Sequence, residues 1–112
     1  MQALLLLNGP QYVEAYRMMA TEALHYSSDP DQQLTHMFRL ARRHYPDAAQ
    51  MAAMRSYYDQ QLKIYQSDPK AAEQLVHVGV EPVDSSVNVV KMAALTNVTS
   101  VVMNAPDSYF IQ

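Results

Sequence analysis

The sequence predicts an all-α fold, an irregular bundle of about five helices around a valine-rich C-terminal helix. Three observations predict it: prolines stand where helices begin, apolar residues recur at helical spacing, and one C-terminal segment is apolar around most of its circumference. The chain has 112 residues, which is a usual size for one domain, and hydrophobic residues at 49% can supply its core. We therefore expect residues 1–112 to form a single helical domain.

Three proline positions predict the starts of three helices. Pro10, Pro30 and Pro69 each suit the first helical position, because proline lacks an N–H group that would have no partner there. Asp29 and Asp68 precede the last two prolines, where a carboxylate can accept from the free N–H groups of the first turn. The predicted helices run from Pro10 to about Tyr26, from Pro30 to about His44, and from Pro69 to about His77, with Gly79 ending the last.

The spacing of apolar residues predicts which helix faces are buried. It also predicts the longest helix of the chain, from about Asp47 to Gln66. The predicted core stripes are Val13, Tyr16, Ala20 and Leu24 in the first helix, Leu34, Met37, Phe38, Ala41 and Tyr45 in the second, and Met51, Met54, Tyr58, Leu62 and Tyr65 in the long one.

The segment from Val87 to Met103 has sequence features of both a strand and a helix. Its valines favour a strand, whereas its length and the run from Lys91 to Leu95 favour a helix. We predict a helix. Because apolar residues occupy much of its circumference, such a helix belongs in the middle of the bundle.

Composition excludes several classes of function. A net charge of −3 gives no general attraction for nucleic acid, and no apolar stretch is long enough to span a bilayer. The chain has no cysteine, which removes disulfides, thiolate metal sites and covalent haem attachment. Its four histidines are not paired at a metal-ligand spacing, and its two glycines cannot build a phosphate-binding loop. We predict no catalytic, metal-binding or cofactor-binding residue.

Four arginines near the predicted turn between the second and third helices form the strongest cluster of charge. Arg39, Arg42, Arg43 and Arg55 are the residues we expect to contact an anion or a partner. The alternative is that cations near the end of a helix complement its dipole and are solvated.

The leucine run at the start of the chain predicts an interface. Leu4, Leu5, Leu6 and Leu7 cannot all face the core of one helix, so some of them must be covered by other sequence or by a second copy. We take Met1 to mark a truncation point. The expected partners are upstream domains of the same parent protein, with self-association in their absence.

Three stretches resemble a known family. They are residues 2–17 (QALLLLNGPQYVEAYR), residues 37–46 (MFRLARRHYP) and residues 98–110 (VTSVVMNAPDSYF). In this order they are similar to the last part of the planctomycete-type domain of unknown function number 1553. Gly9 replaces the aspartate usual in that family, and Ala105-Pro106 alters the spacing of the closing motif. The resemblance implies a larger exported or periplasmic multidomain protein, often with an upstream cytochrome c-like haem domain, and assigns no catalytic residue to this region.

Three hypotheses for function follow from these observations. The first is a non-catalytic structural or interaction module of a larger protein. The second is a subdomain that completes an enzyme active site, which a deep polar pocket joining Arg39, Arg43 and Arg55 would favour. The third is a small-ligand or glycan-binding module, which an exposed tyrosine-lined groove would favour.

Overall fold

The computed structural model describes residues 9–106, which form five α-helices and their connecting loops. The helices are α1 (Pro10–Tyr26), α2 (Pro30–Arg42), α3 (Ala48–Ser67), α4 (Pro69–Val76) and α5 (Val89–Asn104). The predicted all-α bundle is confirmed. Among these residues, no helix combines the length and the apolar character that crossing a membrane would require.

The helix starts follow from local chemistry. The Asp29 side chain accepts from the N–H of Gln32, and that of Asp68 accepts from the N–H of Ala71, so both predicted caps are confirmed. At α3, Asp47 and Gln50 bond reciprocally to each other's backbone N–H groups in a capping box. Each of these carboxylates satisfies a donor that the first turn of its helix leaves without a partner.

α5 lies at the centre of the bundle and packs against each of the other four helices. Nine of its side chains are buried: Met92, Ala93, Ala94, Leu95, Thr96, Val98, Thr99, Ser100 and Val102. The hydroxyl groups of Thr96 and Thr99 donate to the carbonyl oxygens of Met92 and Leu95, one turn earlier. These bonds allow polar residues to be buried inside the bundle without unmet hydrogen-bonding groups.

Two predictions about the ends of helices were wrong. Tyr45 was assigned to the core stripe of α2, but it is 66% exposed. The reason is that α2 ends at Arg42, and Arg43 adopts a left-handed conformation (φ 67°) that turns the chain away. Gly79 was expected to end the fourth helix, but α4 ends at Val76 and Gly79 lies in the following loop.

The loop between α4 and α5 is fastened to α1 by two charged side chains. The Glu14 Oε2 atom accepts from the backbone N–H groups of Val80, at 3.0 Å, and Glu81, at 2.5 Å. Arg17 donates to the carbonyl oxygens of Glu81, at 2.7 Å, and Pro82, at 3.4 Å. Arg17 was not predicted to be buried, yet it is only 1% exposed. We call this arrangement the α1 clasp: Glu14, Arg17 and residues 79–82.

Two further contacts shape the same loop. Gly79 has φ +97°, and a Cβ added there would lie 2.7 Å from the Glu14 Cδ atom, so both conformation and space require glycine. Near the end of α1, the His25 Nε2 atom lies 2.6 Å from the Asp84 Oδ2 atom. Hydrogen bonds from Ser86 and His25 lower the pKa of Asp84 to about 2. The loop is therefore bonded to α1 at several points along its length.

Candidate functional site

The four arginines that the sequence singled out do not converge on one site. Arg42 donates from its Nη2 atom to the carbonyl oxygen of Ala105, at 2.5 Å, and so ties the end of α2 to the end of α5. Arg43 is exposed, and its backbone N–H closes the end of α2 on the carbonyl oxygen of Arg39. Arg42 thus contacts the end of another helix and is not simply solvated, whereas the Arg43 side chain is exposed at the end of α2, as the alternative expects.

Arg55 is matched by carboxylates on two helices. Its Nη1 atom lies 2.9 Å from the Asp31 Oδ1 atom on α2, and its Nε atom lies 3.2 Å from the Asp59 Oδ1 atom on α3. The pKa of Arg55 is raised, chiefly by its hydrogen bond to Asp31 and next by its hydrogen bond to Asp59. Because two acidic groups already accept from this guanidinium, its charge is largely compensated within the chain.

Arg39 differs from Arg42 and Arg55. Its guanidinium carbon lies 4.3 Å from the centre of the Tyr45 ring, over the ring face, in a cation–π contact. No carboxylate or other hydrogen-bond acceptor within residues 9–106 pairs with it. Arg39 is exposed, so its N–H donors face solvent. It is the member of the predicted cluster best placed to meet an external acceptor.

Arg39 lines a pocket of about 280 Å³ on the outer face of α2. The α2 pocket is lined by Tyr26, Asp31, Gln32, Thr35, His36, Arg39 and Tyr45. Five of these residues lie on α2 itself, and their spacing of three or four places them on one face of the helix. The two tyrosines come from the segments before and after α2. They are 61% and 66% exposed, so the pocket opens to solvent.

An aromatic stack forms one part of the α2 pocket. The rings of Tyr26 and His36 lie 4.1 Å apart, with an angle of 8° between their planes. The His36 Nε2 atom lies 2.9 Å from the Glu22 Oε2 atom on α1, which fixes the imidazole against the tyrosine. Together with Tyr45, this stack gives the pocket two exposed aromatic surfaces and leaves Arg39 as its uncompensated cation.

The groups that line the pocket can orient a bound ligand. Asp31 already accepts from Arg55, and His36 is already paired with Glu22, so the carboxylate and the imidazole of the pocket are bonded inside the chain. The remaining lining is made of phenol, amide, hydroxyl and guanidinium groups, which orient a ligand by hydrogen bonds and ring contacts. Within the described part of the chain, no cluster of three His, Asp or Glu side chains is close enough to bind a metal ion.

Sequence reasoning found one residue of this pocket and missed most of the others. Arg39 was among the predicted contacts, whereas Tyr45 was assigned to the core and Tyr26 and His36 were given no site. The signal that could have found the pocket is the polar series of α2, in which Asp31, Thr35 and Arg39 follow one another at four-residue spacing. The predicted leucine interface, Leu4 to Leu7, lies outside the described residues.

Comparison of the chain with protein-family models, with curated proteins and with solved structures found no match. The similarity to the planctomycete-type domain therefore stays a prediction, carried by the three stretches that resemble it.

Proposed function

We propose that this chain is a non-catalytic helical interaction module and that the α2 pocket is its binding surface. One observation carries the proposal. Arg39 lies over the Tyr45 ring at the edge of an open pocket, and it has no acidic partner within the described residues, whereas Arg55 nearby has two. An exposed arginine on an aromatic ring is a combination that protein interfaces favour.

The framework behind the pocket supports this role. The opposite face of α2 is fully buried through Leu34, Met37 and Phe38, which pack in the main core cluster with α5. Because α2 is fixed along its inner face, its backbone is already ordered, so binding at its outer face costs less conformational entropy. The resemblance adds that such a module would belong to a larger exported protein.

The pocket's lining also distinguishes between the hypotheses. Of the predicted arginine cluster, Arg39 alone lines the α2 pocket, and Arg43 and Arg55 do not. An active-site wall built by three arginines is therefore less well supported than a binding surface. The exposed rings of Tyr26 and Tyr45 favour the small-ligand or glycan alternative as a second candidate, because flat aromatic faces pack against apolar faces of ligands.

Site-specific photo-crosslinking tests the proposal. A photoreactive benzoyl-phenylalanine is placed at Tyr45 and, as a matched control, at Ile64, which is 51% exposed on α3 outside the pocket. In the native host we expect a defined crosslinked product from position 45 and none of that product from position 64. Adding Arg39→Gln should lower the yield from position 45. Equal products from both positions, or none from position 45, would show that the pocket is not the binding surface.

A further inference from the structure

We infer that the α2 pocket takes a carboxylate side chain of an acidic partner segment, an inference that rests on the proposed function. Arg55 and His36 each lie beside a carboxylate of the chain itself, at 2.9 Å in both cases. Arg39 is left as the cation of the pocket whose donors have no acceptor within residues 9–106. A partner group that completes this site must therefore be an acceptor.

The shape of the Arg39 guanidinium indicates which acceptor fits it. A guanidinium is planar and offers its N–H donors at its edge, in a fork that matches the two oxygens of a carboxylate. The Tyr45 ring lies beside this group, with its centre 4.3 Å from the guanidinium carbon. Packing on the ring also limits the rotamers of a long side chain, which lowers the entropy lost when a ligand binds.

The surroundings of Arg39 also bear on which anion the pocket takes. Asp31 lines the pocket, and Glu22 accepts from His36 at its rim. The whole chain carries a net charge of −3. The repulsion from these groups and the attraction to Arg39 both scale with the charge of the ligand, so charge alone does not separate a carboxylate from phosphate. A side-chain carboxylate is favoured because its aliphatic stem can pack on the rings of Tyr26 and Tyr45, which inorganic phosphate cannot do.

The volume of the α2 pocket limits the size of its occupant. A pocket of about 280 Å³ lies at the lower end of the volumes that accept small ligands. It has room for one side chain with its neighbouring backbone, and not for an extended cofactor. Tyr26 and Tyr45 supply flat surfaces for the apolar part of that residue, while Gln32 and Thr35 supply polar atoms. The occupant we infer is thus one glutamate or aspartate of a partner polypeptide.

The test is an NMR titration with a pair of probes of equal shape. Acetyl-glutamate amide carries one side-chain carboxylate, and acetyl-glutamine amide replaces it with a neutral amide. Backbone signals of α2 and the Arg39 Nε–Hε signal are followed in ¹H–¹⁵N spectra. We expect saturable shifts with the acid at millimolar affinity, at least about fivefold weaker binding of the amide, and a similar loss in Arg39→Gln. Arg43→Gln, the matched control, removes the same charge outside the pocket and should bind as the parent does.

Two further probes identify the source of the anion. Acetyl-glycine presents a chain-terminal carboxylate, and inorganic phosphate presents a compact anion. Tighter binding of either one than of the glutamate probe would overturn the inference, as would equal binding of acid and amide, equal loss in both arginine variants, or no binding at all. Thermal midpoints of the variants check that they are folded. A crosslink at position 45 without carboxylate binding would overturn this inference alone, whereas loss of the crosslink would overturn the proposed function.

Discussion

Arg17 and Arg39 place the same guanidinium group in opposite surroundings. Arg17, on α1, is 1% exposed and donates to two backbone carbonyl oxygens that lie more than sixty residues away in sequence. Arg39, on α2, is exposed, lies over one tyrosine ring, and has no hydrogen-bond acceptor among the described residues. The first arginine joins parts of the fold, and the second is available to something outside it.

The two arginines show how this chain compensates the desolvation of a buried charge. A buried guanidinium is tolerated when acceptors replace the water it loses, and the α1 clasp supplies two carbonyl oxygens and the Glu14 carboxylate, 3.9 Å away. An exposed guanidinium keeps its water and contributes little to stability. Substitutions in the two regions should therefore separate stability from binding.

The largest effect is expected for Arg17→Met. The substitution keeps an unbranched side chain but leaves the carbonyl oxygens of Glu81 and Pro82 without their donor and the Glu14 carboxylate without its nearby cation. We expect the free energy of unfolding to fall by about 2–4 kcal/mol. Urea denaturation followed by circular dichroism measures it. A loss below about 1 kcal/mol would mean that the α1 clasp does not stabilise the fold.

A smaller loss is expected for Gly79→Ala. The added Cβ would lie within 3 Å of three side-chain atoms of Glu14, and the residue would have to keep a φ of +97°. We expect a cost of about 1–3 kcal/mol in the free energy of unfolding. Gly9→Ala is the control, because its φ is −61° and its added Cβ would meet the end of the Gln11 side chain, no closer than 3.1 Å. Equal losses in the two variants would contradict the close-approach argument.

A still smaller effect, which disappears in acid, is expected for Asp84→Asn. The pKa of Asp84 is about 2 in the folded chain against an ordinary 3.8, so the carboxylate stabilises the fold fully above about pH 4. That contribution is lost as the pH falls from about 4 toward 2. The thermal midpoint of the parent should therefore exceed that of the variant at pH 5, and the difference should shrink as the pH approaches 2. A gap that stays constant over this range would mean that the hydrogen bonds from Ser86 and His25 do not lower the pKa of Asp84.

The smallest effect on stability is expected for Arg39→Gln. Only the cation–π contact with Tyr45 is lost, and an exposed contact of this kind contributes less than about 1 kcal/mol. The urea midpoint should stay close to that of the parent while carboxylate binding falls. A loss as large as that of Arg17→Met would show that Arg39 belongs to the fold as well, and the contrast between the two arginines would disappear.

Features that depend on near neighbours along the chain could be predicted from the sequence. Aspartates next to prolines set helix starts, because a cap bonds only two or three residues away. The spacing of apolar residues identified most of the core, including Leu34, Phe38 and Met54. The apolar circumference of the last helix predicted its central position, and in the structure this helix contacts all the others.

The other features depend on contacts between residues that are far apart in the sequence. The burial of Arg17 depends on carbonyl groups in a distant loop, and the need for Gly79 depends on a side chain of α1, so neither leaves a local pattern. The α2 pocket likewise exists because Tyr26 and Tyr45, on either side of a helix, come to flank its polar face. A charged or aromatic residue has the same local spacing whether it is buried, paired or exposed. Its role is set by which distant groups the fold brings within hydrogen-bond distance.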